Sequence, residues 1–206
     1  VAEVIPAAVA AHPRLAAIPG VGNPGMTILI FTAGYRDSNV GVLGIQHWLD
    51  VNKEDADHSE PGRTTWFADT GTSGRFIDKP DILAVLDSPN QQGSIELVTE
   101  MENTELGVDG VITRSFPTGK LYVAYAVLTG SNSFKVLYNT SDDWGRTFKN
   151  QTKKLSEDQN QVSGISLTAV DSNVVAVWRR LGDNNDANSI MFSVITNDGK
   201  KNTSAE

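Results

Sequence analysis

Three times along this chain, a run of β-branched and aromatic residues is followed at nearly the same distance by a second one. "MTILIFTAGY" (26–35) precedes "VGVLGIQHWL" (40–49), "LYVAYAVL" (121–128) precedes "FKVLYNTS" (134–141), and "NVVAVWRR" (173–180) precedes "SIMFSVIT" (189–196). With strand starts at 27, 121 and 174 and partner starts at 41, 135 and 190, the offsets are 14, 14 and 16. Such residues fit a pleated, half-buried surface, and a fixed offset marks one module used repeatedly. Helix signals are poor: Gly and Pro are scattered throughout, and few windows place apolar residues at helical spacing.

The module extends to either side. A short apolar run precedes each long strand: "RLAAI" (14–18), "DILAVL" (81–86) and "GISLTAV" (164–170). A fourth strand is predicted after the partner in two copies, at "RTTWFAD" (63–69) and "GRTFKNQ" (145–151). Four antiparallel strands repeated at roughly fifty residues is the pattern of β-propeller blades. The expected fold is all-β, a partial ring of about three blades in a single domain. The blade-like units span about 12–70, 76–152 and 160–206, with an insertion at about 88–118. The third unit is expected to lack its fourth strand, because "TNDGKKNTSAE" follows its partner strand. Propellers close with about four to eight blades, which removes their open edges. Three units predict either a fragment or one part of an assembly, with further blades coming from missing chain or from a partner chain.

Bulk composition restricts the function classes. The 206 residues carry a net charge of −8 and only 20% charged residues. An acidic surface disfavours nucleic acid, which needs clustered Lys and Arg, while a local Arg cluster can still hold an anionic small ligand. No run approaches the roughly 18 apolar residues of a membrane helix. With no cysteine, thiol chemistry and disulfides are excluded, but compartment is not decided. Sequons at Asn139, Asn150 and Asn202 lean mildly towards secretion and glycosylation. "VAEVIPAAVAA" lacks the basic start of a signal peptide and reads as a frayed, Ala-rich end or a processed one.

"NTSDDWGRTFKN" (139–150) puts Ser141, Asp143, Gly145 and Thr147 at every second position, followed by Phe148. Gly145 can supply a positive φ, the short polar side chains can bond local backbone, and Phe148 is expected to enter the next strand and pack inward. The pattern S-x-D-x-G-x-T-[WF] resembles the Asp-box, the bacterial neuraminidase repeat of sialidase-like propellers. A chance match to it in a chain of this size is on the order of one in a thousand. A degenerate copy at Thr196, Asn197 and Asp198 follows 55 residues later, with Lys200 in the glycine position. "DTGTSGRFIDKPDILAV" (69–85), "LYVAYAVL", the box and "GISLTAV…VVAVWRR" together are similar to secreted sialidase-family proteins over about 60–200.

The resemblance implies a secreted protein that acts on or binds glycans or another small molecule, as an exo-glycosidase or a lectin. It also implies that the box is a structural turn, so Asp143 is not expected to be catalytic. In such propellers the ligand face lies opposite the box. The segments expected on it are "YRDSN" (35–39), "GTSGRFIDKP" (71–80), "KKLSEDQNQVSG" (153–164) and "RRLGDNNDANS" (179–189), with Arg36, Asp37, Arg75, Asp78, Lys79, Glu157, Asp158, Arg179, Arg180 and Asp183. A sialidase needs arginines to clamp a carboxylate, an acid to protonate the leaving oxygen and a tyrosine nucleophile. Arg36, Arg179 and Asp78 are candidates for some of these roles, Tyr35 or Tyr125 for the nucleophile, and Arg75 and Arg180 for further ligand contacts. Against hydrolysis, the Arg-Ile-Pro motif of active sialidases is absent, and surface loops carry charges in any case. The alternative is a non-catalytic propeller scaffold that presents loops to another protein.

Other motifs fall away. "GVGNPG" (20–25) matches a dinucleotide fingerprint, but a strand follows where a helix is required. "DVNKEDADHSEP" (50–61) lacks the Gly and Glu of an EF-hand, leaving at most a loosely bound calcium there or at "GDNNDAN" (182–188). His12, His47 and His58 lack metal-ligand spacing. No metal or organic cofactor is otherwise expected.

Overall fold

A computed structural model describes residues 8–22, 25–35, 41–49, 65–67, 77–87, 93–103, 108–130, 133–149, 152–157, 161–182, 188–196 and 201–202. All regular structure among them is β. In chain order the strands are β1 (Ala8–Ile18), β2 (Met26–Tyr35), β3 (Gly41–Leu49), β4 (Thr65–Phe67), β5 (Ile77–Leu86), β6 (Ser94–Asn103), β7 (Val108–Pro117), β8 (Gly119–Leu128), β9 (Phe134–Ser141), β10 (Lys153–Lys154), β11 (Val162–Val170), β12 (Asn173–Arg180), β13 (Ser189–Ile195) and β14 (Lys201–Asn202). They form three four-stranded antiparallel sheets and one two-stranded ribbon. The N-terminal sheet runs β1-β2-β3-β4, the middle sheet β5-β8-β9-β10 and the C-terminal sheet β11-β12-β13-β14. Each is a meander in chain order, with the β6–β7 ribbon inserted between the first and second strands of the middle sheet. No helix among the described residues is long and apolar enough to cross a membrane.

The middle sheet is buried on both faces, and its sequence says why. Residues 121–127 of β8 are all buried, so "LYVAYAV" runs apolar without alternation, as strands covered on both sides do. Leu121, Val123, Tyr125 and Val127 pack with Met26, Ile28, Ile30, Leu43 and Ile45 of the N-terminal sheet. Tyr122, Ala124 and Ala126, with Val136 and Tyr138 of β9, pack with Ile165, Leu167, Val174, Ala176 and Trp178 of the C-terminal sheet. β2 and β12 alternate instead: Met26, Ile28 and Ile30 on one, and Val174, Ala176 and Trp178 on the other, face the middle sheet. The first strands also meet, with β5 in contact with both β1 and β11.

Three expectations about element boundaries are corrected. The fourth strand of the middle unit is not 145–151: residues 145–149 continue the turn, and β10 forms later, Lys153 opposite Tyr138 and Lys154 opposite Leu137. The reason is local, since the box folds back on itself through its own side chains. The third unit does not stop at its partner strand, because Lys201 and Asn202 pair with Ile195 and Val194. The Ala-rich start is not wholly frayed: Ala8–Ala11 pair with Thr32–Tyr35, and a register shift separates them from Arg14. The insertion at about 88–118 is a regular hairpin, with Ser94 opposite Pro117 through Asn103 opposite Val108.

Candidate functional site

Two ends of the sheet stack are distinct. At one end lie the β1–β2 connection, the base of the ribbon and the Ser141–Phe148 turn. At the other lie the starts of β5 and β11 and the ends of β8 and β12, with Ile77 opposite Val127 and Val162 opposite Arg180.

The Ser141–Phe148 turn is held by its own side chains. Ser141 Oγ donates to Asp143 Oδ1 at 2.6 Å and accepts from the Gly145 N–H at 2.7 Å. Asp143 Oδ1 also accepts from the Thr147 N–H at 2.8 Å, and its Oδ2 accepts from Thr147 Oγ1 at 2.6 Å. Partial burial pushes the Asp143 carboxyl up, but the bonds from Ser141 and Thr147 outweigh it and hold the group below the usual carboxylate range. Gly145 has φ 92°, the left-handed conformation its position in the box requires. Phe148 packs against the core, although it lies outside any strand. Asp143 is therefore engaged in the turn.

The turn also anchors the neighbouring sheet through residues the sequence did not single out. Trp144, between Asp143 and Gly145, has φ 56° and is fully buried. Its Nε1–H donates to the Pro117 carbonyl at 3.0 Å. Gly119 makes room for the ring, because a Cβ there would lie 2.5 Å from Trp144 Cη2. The Trp144 carbonyl accepts from His47 Nε2 of β3 at 2.8 Å, joining the box to the N-terminal sheet. Burial pushes His47 down from its ordinary value of 6.5; the Trp144 bond opposes this, Arg146 adds to it and Asp143 counters it. In the unfolded chain His47 takes a proton near 6.5, whereas in the fold it does so only at lower pH. Stability is thus fully present above about 6.5 and falls as the pH drops towards the depressed value, by at most about 1.4 kcal/mol per pH unit. His47→Gln, which retains an N–H donor, is expected to flatten this slope in urea unfolding followed from pH 7 to pH 5.

Asp81 connects all three sheets. Its carboxylate lies 3.6 Å from Arg14 Nε of β1 and accepts from the Leu167 N–H of β11 at 2.6 Å. Burial raises its affinity for a proton, while the Leu167 and Ile82 N–H groups and Arg14 oppose the rise. One signal for it was present in the sequence: a carboxylate opening the apolar run "DILAVL".

At the opposite end, the register brings Asp78 and Arg180 to one seam. Asp78 is opposite Ala126, whose face meets the C-terminal sheet. Arg180 is opposite Val162, whose face meets the middle sheet. Asp78 is buried, accepts from the Lys79 N–H at 2.8 Å and forms an ion pair with Lys79 Nζ. Lys79 has φ 52° within the register shift between Asp78 and Asp81. Arg180 Nη2 is 3.4 Å from Ser189 Oγ, and its buried Nε has no hydrogen-bond partner among the described residues. Arg179, on the outer face, is exposed. Glu157 is exposed and paired with Lys154 at 3.0 Å.

Other candidates fare differently. Tyr125 is fully buried in the core between the N-terminal and middle sheets, with its hydroxyl 3.5 Å from Thr152 Oγ1. A nucleophile must reach solvent-borne substrate, so Tyr125 is removed from that role. Tyr122 and Tyr138 are buried on the opposite face, and burial together with Tyr122 pushes Tyr138 up to about 12. Arg36, Asp37, Arg75, Asp158 and Asp183 lie outside the described residues, as do residues 50–61 and most of "GDNNDAN". No group of three or more metal-binding side chains is assembled among the described residues. Asn139 is buried, and its amide donates to the Lys149 carbonyl at 3.0 Å. Asn150 lies outside the described residues, and Asn202 is in β14.

No protein family, curated protein or solved structure matches this chain.

Proposed function

We propose that this chain is a sialidase-like propeller segment that binds acidic glycans at the end of the sheets opposite the Asp-box. The architectural part of this reading is supported by three stacked four-stranded meanders whose first strands meet, and by the completed hydrogen bonding of the box. The functional part is carried by Arg180. Among the described residues its buried Nε lacks an acceptor, and the half-buried side chain makes only a long bond from Nη2 to Ser189. A buried donor without a partner costs about 1–3 kcal/mol, and a carboxylate is the group that a planar guanidinium fork accommodates best. Arg179 lies at the rim and adds positive charge.

Binding is favoured over hydrolysis. Of the four tyrosines in the chain, Tyr122, Tyr125 and Tyr138 are buried, which leaves Tyr35 alone for a nucleophile. The chain is therefore read as a lectin-like protein of the secretory route, with no nucleic-acid or membrane partner. The scaffold alternative draws on the β6–β7 ribbon, which stands apart as its own sheet.

A glycan array and calorimetry with a free sialic acid test the reading. The expected result is binding of carboxylated sugars without turnover of a fluorogenic sialoside. Arg180→Lys, which keeps the charge and loses the fork, should weaken affinity about tenfold or more, given about 1.5–3 kcal/mol for a charge-assisted bond. Binding that ignores the sugar carboxylate, or no binding with a protein partner co-purifying instead, would favour the scaffold.

A further inference from the structure

Two buried hydroxyls at the junction of the middle and C-terminal sheets have no hydrogen-bond partner among the described residues: Tyr138 Oη and Ser193 Oγ. Tyr138 is 2% exposed and Ser193 is 0% exposed. Tyr138, on β9, belongs to the core that the middle sheet shares with the C-terminal sheet. Ser193, on β13, stands opposite Ala176 of the same core.

The register sets these hydroxyls in facing rows. Across the middle sheet one row runs through Asp81, Ala124 and Tyr138 on β5, β8 and β9. Across the C-terminal sheet another runs through Leu167, Ala176 and Ser193 on β11, β12 and β13. Cross-strand partners point to the same face of their sheet. The Leu167 N–H donates to Asp81 Oδ2 at 2.6 Å, which pins the first members of the two rows to each other. Ala124 and Ala176 come second, and both lie in the core between the sheets. Tyr138 and Ser193 come third. Packed sheets stand about 10 Å apart, a gap that two alanine methyl groups do not fill by themselves.

The chemistry of the rows selects the guest. Each hydroxyl brings one donor and two acceptor sites, and burying it without a bond is unfavourable. The only charged member of the rows, Asp81, is already engaged by the Leu167 N–H and by Arg14 at 3.6 Å. The group that serves both hydroxyls is therefore small and neutral, able to donate to one and accept from the other. Water meets these conditions, and buried waters commonly serve polar groups that the protein leaves unsatisfied. Towards Arg180, the next pair along β12 and β13 is Trp178 and Met191, so these hydroxyls are set apart from the Arg180 end.

We propose that the hydroxyls of Tyr138 and Ser193 hold one buried water molecule that bridges β9 and β13. It joins the third strands of the two sheets as the Asp81–Leu167 bond joins the first. This site does not depend on Arg180 or on a glycan.

Melting curves and a crystal structure of the 206-residue chain test it together. Tyr138→Phe and Ser193→Ala should each lower the melting temperature by about 2–4 °C, because each removes one bond to the water and weakens the hold on the other hydroxyl. The double variant should lose less than the two single losses added, since both report on one bridge. A dry pair of hydroxyls gives the opposite sign. Tyr138→Phe would then delete an unpaired polar atom while keeping the ring, and a melting temperature that is raised or unchanged would overturn the proposal. Electron density of the wild type should show a water oxygen about 2.5–3.0 Å from both hydroxyl oxygens, and that density should be lost in Tyr138→Phe. A direct bond between the two hydroxyls, or another side chain bonded to either, would overturn the bridge even if both variants were destabilised.

Discussion

Replacing Trp144 with Ala is expected to lower stability by about 3–5 kcal/mol, the range for truncating a large buried aromatic residue. In a chain of this size that corresponds to a fall in melting temperature of roughly 10 °C, measurable by calorimetry. The effect has several sources. The indole is fully buried, so its removal leaves a cavity between the Ser141–Phe148 turn and the core. The Pro117 carbonyl loses its bond from Nε1. Gly119, which is bare so that the ring can lie against β8, would border empty space. Trp144→Phe should cost less, because the ring volume is largely kept and only the bond to Pro117 is lost. Equal losses for Ala and Phe would show that the hydrogen bond, rather than the packing, carries the effect.

Asp143→Ala should cost about 2–4 kcal/mol. The carboxylate accepts from Ser141, the Thr147 N–H and the Thr147 hydroxyl, and bonds to a charged acceptor are each worth about 1.5–3 kcal/mol before screening by water. Partial exposure and the coupling of these bonds keep the total below their sum. Asp143→Asn retains one acceptor oxygen and should lose roughly half as much. The sign of the pH dependence follows from the depressed carboxyl. Its contribution is complete above the ordinary value of 3.8 and disappears as the pH falls through the lower folded value. Acid unfolding of the wild type should therefore show a decline in this range that Asp143→Ala lacks. If the alanine variant matched the wild type at both pH 7 and pH 3, the turn would not depend on this side chain.

The sheets were legible because their strands announce themselves locally. β2, β9 and β12 begin and end where their apolar runs do, and the constant offset between partners reflects a hairpin that recurs. The fourth strands were not. β10 and β14 have two residues each, too few for an alternating pattern, and their positions depend on where the preceding turn releases the chain. In the middle sheet the Ser141–Asp143–Thr147 bonds hold the turn until residue 149, so the pairing starts only at Lys153.

The candidate site divides along a similar line. The Ser141–Thr147 turn was readable because its bonds join residues within seven positions of one another. Its contact with His47 spans 97 positions and that of Asp81 with Leu167 spans 86; nothing in a local pattern encodes either. Arg179 and Arg180 looked equivalent as neighbours in "VWRR". Strand alternation separates them, sending one outward and the other into the seam with Asp78. Tyr125 looked available for the same reason that it is not: β8 is buried on both faces, so neither side of its alternation reaches water.

The stacking of the three sheets sets both the core and the candidate site, and a crystal structure of the 206-residue chain tests it most directly. The expected electron density has β8 enclosed, with Ile28 packed on one side of it and Ala176 on the other, and the Asp81 carboxylate between Arg14 and the Leu167 N–H. Density in which the N-terminal and C-terminal sheets touch each other directly, or in which one face of β8 is open to solvent, would contradict it.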